Sequence, residues 1–353
     1  MNNDIKIAGR LIGPQHPPYI IAEMSANHNG SLELAKQTIS MAKACGADAV
    51  KMQSYTADTI TLDCDHDEFQ IKGGLWDGYS LHQLYRWAQT PFEWHKPLFD
   101  HARKEGITLF SSPFDCSAID LLEDLNAPAY KIASFEAIDL PLIRYAAQTG
   151  KPMIISTGMA DETEIAEAVA TARDNGCREL VLLHCISAYP APIEQSHLRT
   201  IPTLASRYQT LAGLSDHSLT NTAAIAAVAL GACVIEKHVM LSENSGGPDA
   251  AFSLTPPALS ALCEQTHAAW QALGESALTT REAESSNRQF RRSLYVCEDI
   301  APGEPLTPDN VRSIRPGFGL APKHYDAVIG KRATRALTKG TALSWEDIGS
   351  SSE

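Results

Sequence analysis

None of the eight cysteines, at 45, 64, 116, 177, 185, 233, 263 and 297, stands in a CxxC pair, so there is no zinc-ribbon or disulfide framework to read. Several lie inside apolar runs and are expected to be small buried hydrophobes in a reducing compartment. The opening MNNDIKIAGR lacks a basic region followed by an apolar one, so no secretory signal is visible and a cytoplasmic location is expected. The longest uncharged apolar stretch, AAIAAVALGACVI at 223–235, is too short to span a bilayer. Basic residues are in deficit, 29 Lys and Arg against 42 Asp and Glu, for a net charge of −13. That balance argues against nucleic acid or an anionic membrane as the main partner. No GxGxxG follows the first strand-like run, and no GxSxG elbow surrounds a serine, which counts against dinucleotide-binding and serine-hydrolase chemistry.

What is present is a long alternation. Eight short, nearly continuous apolar runs, YIIAEM (19–24), AVKMQ (49–53), TLFSSP (108–113), AYKIAS (129–134), PMIIST (152–157), LVLLHC (180–185), LAGLSD (211–216) and CVIEKH (233–238), are separated by segments of helical spacing. Runs of this kind are strands buried on both faces, and strict strand–helix alternation implies a parallel sheet. Eight units predict a closed (β/α)8 TIM barrel, with an open doubly wound sheet as the rival. The gap between the second and third runs is too long for a simple βα unit and holds GGLWDGYSLHQLYRWAQTPFEWH (73–95). A loop of that length is functional or carries its own helix. Past 275 the pattern changes, first to a polar stretch and then to Pro- and Gly-rich short runs. The expected organisation is a barrel at 1–275, a linker at 276–292 and a small β-rich domain at 293–353.

In a barrel the C-terminal ends of the strands share one mouth. Read in order they supply Glu23, Lys51 and Gln53, Ser111 and Ser112, Lys131 and Ser134, Ser156 and Thr157, His184 and Ser187, Asp216 and His217, and Glu236 with His238. Two lysines flanked by apolar residues, Lys51 and Lys131, need an anion or a carboxylate to offset their burial; with serine hydroxyls around them they form a phosphate or carboxylate cradle. His217 and His238 end consecutive strands. They are either two separate core histidines or a pair for a Mn, Mg, Co or Zn ion with open positions.

The motifs IAEMSANHNGSLELAK (21–36), GADAVKMQ (46–53), FSSPFD (110–115), YKIASFE (130–136), YPAP (189–192), GLSDHS (213–218), FRRSLYV (290–296) and IRPGFGL (314–320), in this order, resemble the sialic-acid synthases, the phosphoenolpyruvate-dependent nonulosonic acid synthases. SANHNG and TPFEWH (90–95) are most similar to the pseudaminic acid branch. The resemblance implies a barrel followed by an antifreeze-like (SAF) domain, in a homodimer where that domain covers the partner's site. It implies condensation of phosphoenolpyruvate with a 2,4-diacetamido-2,4,6-trideoxyhexose (the β-L-altropyranose), giving pseudaminic acid and phosphate. The alternatives are an N-acetylneuraminate or legionaminate synthase, a metal-dependent aldolase, and, more distantly, a non-catalytic carbohydrate-binding protein. Matched positions place Lys51, Ser111, Lys131, Ser134, Ser156 and Ser215 at phosphoenolpyruvate, His217 and His238 at a divalent metal, usually Mn with Mg or Co as alternatives, and Gln53, Tyr189, Asp249 and Arg315 at the sugar. Glu23 and Glu136 are the carboxylates expected to stabilise a cationic carbon or to handle a water proton.

Overall fold

The computed structural model describes residues 4–349. Strands β3 (Tyr19–Glu23), β4 (Ala49–Ser54), β5 (Thr108–Pro113), β6 (Tyr130–Ile132), β7 (Met153–Ser156), β8 (Leu180–Cys185), β9 (Leu211–Asp216) and β10 (Val234–His238) pair in parallel in chain order. β10 returns to β3, closing a (β/α)8 barrel. The eight apolar runs are these eight strands, to within one or two residues at the ends.

Two apolar layers follow from the pleat. Residues such as Met52, Leu109, Tyr130, Ile132, Ile155, Leu182, Leu214 and Ile235 point outward against the helices. Tyr19, Ile21, Ala49, Phe110, Ile154, Val181, Leu183 and Val234 fill the barrel interior near the strand starts. A hairpin of β1 (Ile5–Ile7) and β2 (Arg10–Ile12) adds Ile5, Ile7 and Ile12 to that inner layer and plugs the strand-start end. With that end filled, the free space lies at the strand C-termini.

The helices α1 (Leu32–Ala44), α4 (Phe92–Glu105), α5 (Cys116–Asp124), α6 (Leu140–Ala147), α7 (Glu162–Asp174), α8 (Thr200–Tyr208), α9 (Thr222–Ala229) and α10 (Pro256–Leu273) follow the strands in turn. Their starts lie on the mouth side and are set by local chemistry. Ser31, Asp115, Asp139 and Asp161 each accept a backbone N–H of their helix, a cap that contributes about 1 kcal/mol. The insertion between β4 and α4 carries the short α2 (Ala57–Ile60) and α3 (Leu81–Ala88). It is tied down by Ala57 N donating to Gln89 Oε1 at 2.9 Å and by His82 Nε2, 2.9 Å from Asp58 Oδ1.

The chain divides into two compact units, Met1–Gly274 and Glu275–Glu353. The second contains a 3-10 helix at Glu282–Phe290, the antiparallel pair β11 (Ser293–Val296) and β12 (Val311–Ile314), and isolated bridges such as Ile300 to Leu337. Its core includes Leu294, Val296, Ile300, Leu306, Val311, Val328 and Leu343. Among the described residues the small β-rich domain expected from the sequence is a short antiparallel pair extended by isolated bridges and turns. Residues 350–353 of the expected 293–353 domain lie outside the described residues. Cys177, Cys185, Cys233 and Cys297 are buried, Cys45, Cys64 and Cys263 are half-buried, and Cys116, which opens α5 at the surface, is exposed.

Candidate active site

Strand alternation decides which side chains enter the barrel. Neighbours such as Met52, Ile132, Ile155, Leu214 and Ile235 pack outward, so Lys51, Gln53, Lys131, Ser156, Ser215, Glu236 and His238 turn inward. The register places Glu23 beside both Lys51 and His238, and Glu236 beside Ser215.

Lys51 and Lys131, only 4% and 1% exposed, converge on one carboxylate oxygen. Glu236 Oε1 lies 3.1 Å from Lys51 Nζ and 3.0 Å from Lys131 Nζ, and accepts from Ser215 Oγ at 3.1 Å. Glu23 Oε2 sits 3.2 Å from Lys51 Nζ, and its Oε1 accepts from Gln53 Nε2 at 3.3 Å. Two ammoniums therefore face two carboxylates, which makes their burial tolerable. Burial alone would raise the Glu236 pKa, but Lys131 and Lys51 hold it well below the usual carboxylate range. Burial, helped by the Glu236 charge, pushes Glu23 up to about 7 despite Lys51. Burial pulls Lys131 down. Burial also pushes Glu136, on the turn after β6, up to about 7.

The histidine rings are neighbours, 5.3 Å apart between centroids, and Phe252 packs edge-on to His238 at 4.9 Å. His217 Nδ1 donates to the Ile186 carbonyl at 3.0 Å, which leaves Nε2 as the ring nitrogen for a ligand. Burial, together with His217 and Lys51, holds the His238 pKa well below normal, so its ring is neutral, and its Nδ1 has no hydrogen-bond partner. Against its burial, the Cys185 side chain and the Ile186 carbonyl hold the His217 pKa above normal, so a metal ion at its Nε2 would displace a proton; the spacing of the two rings suits an ion held at the ~2 Å typical of imidazole. Among the described residues no cluster of three or more His, Cys, Asp or Glu is arranged around one ion. A metal held here would have only the two imidazoles from this pair and would need further oxygen ligands from substrate or water.

These groups line one cavity of about 480 Å³ with Gln53, Ser134, Glu136, Ser156, Tyr189 and Asp249. Tyr189 packs 4.5 Å from the His217 ring, and Asp249 accepts a hydrogen bond from Ser25. Ser134 Oγ accepts from Gly158 N at 3.2 Å. A side chain at Gly158 would meet Ser187 Oγ at 2.3 Å and Ser134 Oγ at 2.8 Å, so only glycine lets those hydroxyls close in. Glu136 Oε2, Ser156 Oγ and Glu236 Oε2 are buried without hydrogen-bond partners. Orphaned buried polar atoms are rare and mark places where a ligand completes the pairing.

Three mouth residues expected from the sequence face elsewhere. Ser111 points outward and bonds Ser54 Oγ at 2.6 Å, which in turn meets His95 Nε2 at 2.6 Å. Ser112 is the inward residue of this strand and its buried hydroxyl has no partner; neither serine is among the residues that line the cavity. His184 is turned out to the Ser196 carbonyl at 2.6 Å. Asp216 is turned out to Lys237, 2.6 Å away. Arg315 is exposed on the second unit. Three residues went unremarked in the sequence. Cys185 is the inward partner of His184, its thiol 3.9 Å from His217 Nδ1. Phe252 lies beyond the last strand. Lys237 Nζ ties Asp216 Oδ2 to the carbonyls of Ser218, at 2.6 Å, and Thr220, at 2.9 Å, fixing the turn that carries His217. Only the inward–outward phase of each strand would have exposed the first.

The sequence profile of the NeuB family matches residues 38–277, and that of the SAF domain matches residues 291–349. The chain belongs to the NeuB family. Pseudaminic acid synthase of Campylobacter jejuni is 46% identical over 94% of this chain and 96% of its own. The N,N'-diacetyllegionaminic acid synthase of Campylobacter jejuni is 38% identical over 90% of this chain and 96% of its own. The crystal structure of an N-acetylneuraminic acid synthetase from Leptospira borgpetersenii superposes with a TM-score of 0.73 at 30% identity, covering 81% of this chain and 95% of that one. This NeuB-family chain is an enzyme, a transferase of the sialic-acid synthase kind.

Proposed function

We propose that the protein is a pseudaminic acid synthase, condensing phosphoenolpyruvate with 2,4-diacetamido-2,4,6-trideoxy-altrose in the presence of a divalent metal, Mn foremost. The observation that carries the chemistry is the convergence of two buried lysines and two imidazoles at one barrel mouth. The step from 38% identity with a legionaminate synthase to 46% with a pseudaminate synthase supports the choice of sugar.

In this reading Lys51 and Lys131, with Ser134, Ser156 and Ser215, bind the phosphate and carboxylate of phosphoenolpyruvate, and Ser112 takes the place expected for Ser111. His217 and His238 hold the metal, which supplies Lewis-acid polarisation of the sugar's aldehyde. Carbon 3 of phosphoenolpyruvate attacks that aldehyde carbon, water adds at carbon 2, and the tetrahedral intermediate expels phosphate by C–O cleavage. Holding both substrates in attack geometry contributes up to about 7–11 kcal/mol. Glu136 lines the cavity with an unpartnered oxygen and a pKa pushed up to about 7, which suits it to carry the water's proton. Glu23 stays beneath, paired with Lys51, and can take up a proton when the anionic substrate claims that lysine. Gln53, Tyr189 and Asp249 contact the sugar. A cytoplasmic homodimer in which Arg315 completes the other copy's sugar site belongs to the same proposal.

The test supplies phosphoenolpyruvate with the altrose derivative, its legionaminate counterpart or N-acetylmannosamine, with and without chelator. Phosphate release and product mass are scored. Metal-dependent product from the altrose derivative is expected; preference for another sugar would replace the sugar assignment, and turnover after chelation would reject the metal.

A further inference from the structure

The cavity has two chemically distinct sides. The strand ends give it ammoniums, carboxylates, hydroxyls and imidazoles. The insertion between β4 and α4 gives it Ile60, Ile71, Trp76, Leu81, Leu84 and Tyr85, with no charged group. The segregation is sharp within that one segment. Asp58, Asp63, Asp65, Asp67, Glu68 and Asp77 are all exposed, and none of them lines the cavity. The wall is also braced. Tyr55, 2% exposed, packs edge-on against Tyr85 at 5.8 Å and against Phe114 at 5.1 Å. Trp76 donates its indole N–H to the Pro248 carbonyl at 2.9 Å, which occupies its polar edge and leaves the ring as an apolar surface. That ring lies 5.9 Å from Tyr189, which in turn packs on His217.

An open-chain sugar with its aldehyde at the histidines would extend its far end along this wall, whose side chains, the Tyr85 hydroxyl aside, offer no hydrogen bond. We propose that this wall is a subsite for the methyl-bearing edge of the sugar, the deoxy carbon 6 together with an acetamido methyl, and that it discriminates against hexoses with a hydroxyl at carbon 6. The inference rests on the function proposed above and deepens it. A methyl placed on the wall is removed from water. A hydroxyl placed there loses its water partners and finds only the Tyr85 phenol in exchange. An apolar pocket of this kind separates the two by roughly 10- to 100-fold in kcat/KM.

The experiment compares 2,4-diacetamido-2,4,6-trideoxyaltrose with its 6-hydroxy analogue, each with phosphoenolpyruvate and Mn²⁺. The native chain should favour the deoxy sugar by roughly 10- to 100-fold. Ile71→Asn and, separately, Leu81→Thr place a hydrogen-bonding group on the half-buried wall. Each should shrink that preference about tenfold, with the KM for phosphoenolpyruvate unchanged. A preference that stays within twofold of the native value in both variants overturns the subsite, as does a native chain indifferent to the carbon 6 hydroxyl. A native chain that turns over neither sugar instead overturns the underlying function, a result readable before any variant is made.

Discussion

Replacing Lys131 by methionine separates substrate binding from fold maintenance, because the stem is kept and only the ammonium is removed. The ammonium is 3.0 Å from Glu236 Oε1, and the pair is almost wholly buried. Removing one partner of such a pair costs about 3–5 kcal/mol. Glu236 keeps Lys51 at 3.1 Å and Ser215 at 3.1 Å, which puts the loss near the lower end, about 3 kcal/mol, or a Tm lower by about 5–10 °C. The substrate side is independent. A charge-assisted hydrogen bond to an anion is worth about 1.5–3 kcal/mol, so kcat/KM for phosphoenolpyruvate should fall about 10- to 150-fold. The KM for the sugar should move little. Calorimetry and initial rates at saturating sugar measure both. A lowered Tm with kcat and KM for phosphoenolpyruvate preserved would show that Lys131 serves only as counter-ion to Glu236, and would refute its place in the substrate cradle.

The other predictions follow from the same geometry. Glu136 has its pKa raised by burial to about 7 from 4.5. Its neutral form is therefore favoured by folding, and that contribution is present below about pH 4.5 and lost as pH rises through 7. Glu136→Gln should accordingly be more stable than the native chain at pH 8 by about 3 kcal/mol, with little advantage at pH 4.5; a Tm difference independent of pH would contradict the assignment. Ser112→Ala should weaken phosphoenolpyruvate use, whereas Ser111→Ala should lower stability through the Ser54–His95 chain and leave its KM alone; the reverse pattern would mean the pleat of β5 is misread. Lys237→Met frees the turn that carries His217, and should weaken Mn²⁺ binding, measured by the free-ion paramagnetic resonance signal, about 10- to 100-fold. Equal affinity in a folded variant would remove Lys237 from any positioning role.

The barrel was legible because strands buried on both faces read as unbroken apolar runs, and eight of them alternate with helical spacing. The same continuity hides their phase. In TLFSSP nothing local says whether Ser111 or Ser112 faces inward, and a one-residue slip sends every side chain to the other face; only Phe110, packed in the barrel interior, fixes it. His184 and Cys185 pose the same ambiguity. Lys51 and Lys131 could be seen to need counter-charges, but Glu236 lies 185 residues from the first and 105 from the second, a pairing that exists only after closure. The plugging hairpin was not legible in the sequence: its turn residues Ala8 and Gly9 both take positive φ, 47° and 89°, and alanine is not among the residues that signal such a turn.

The most direct test of the account gives the purified chain phosphoenolpyruvate carrying ¹⁸O in its bridging C–O–P oxygen, the diacetamido trideoxyaltrose and Mn²⁺, and weighs both products. The account predicts a nine-carbon acid free of the label, with the ¹⁸O in the released phosphate. Label retained in the acid, or phosphoenolpyruvate recovered unchanged, would contradict it.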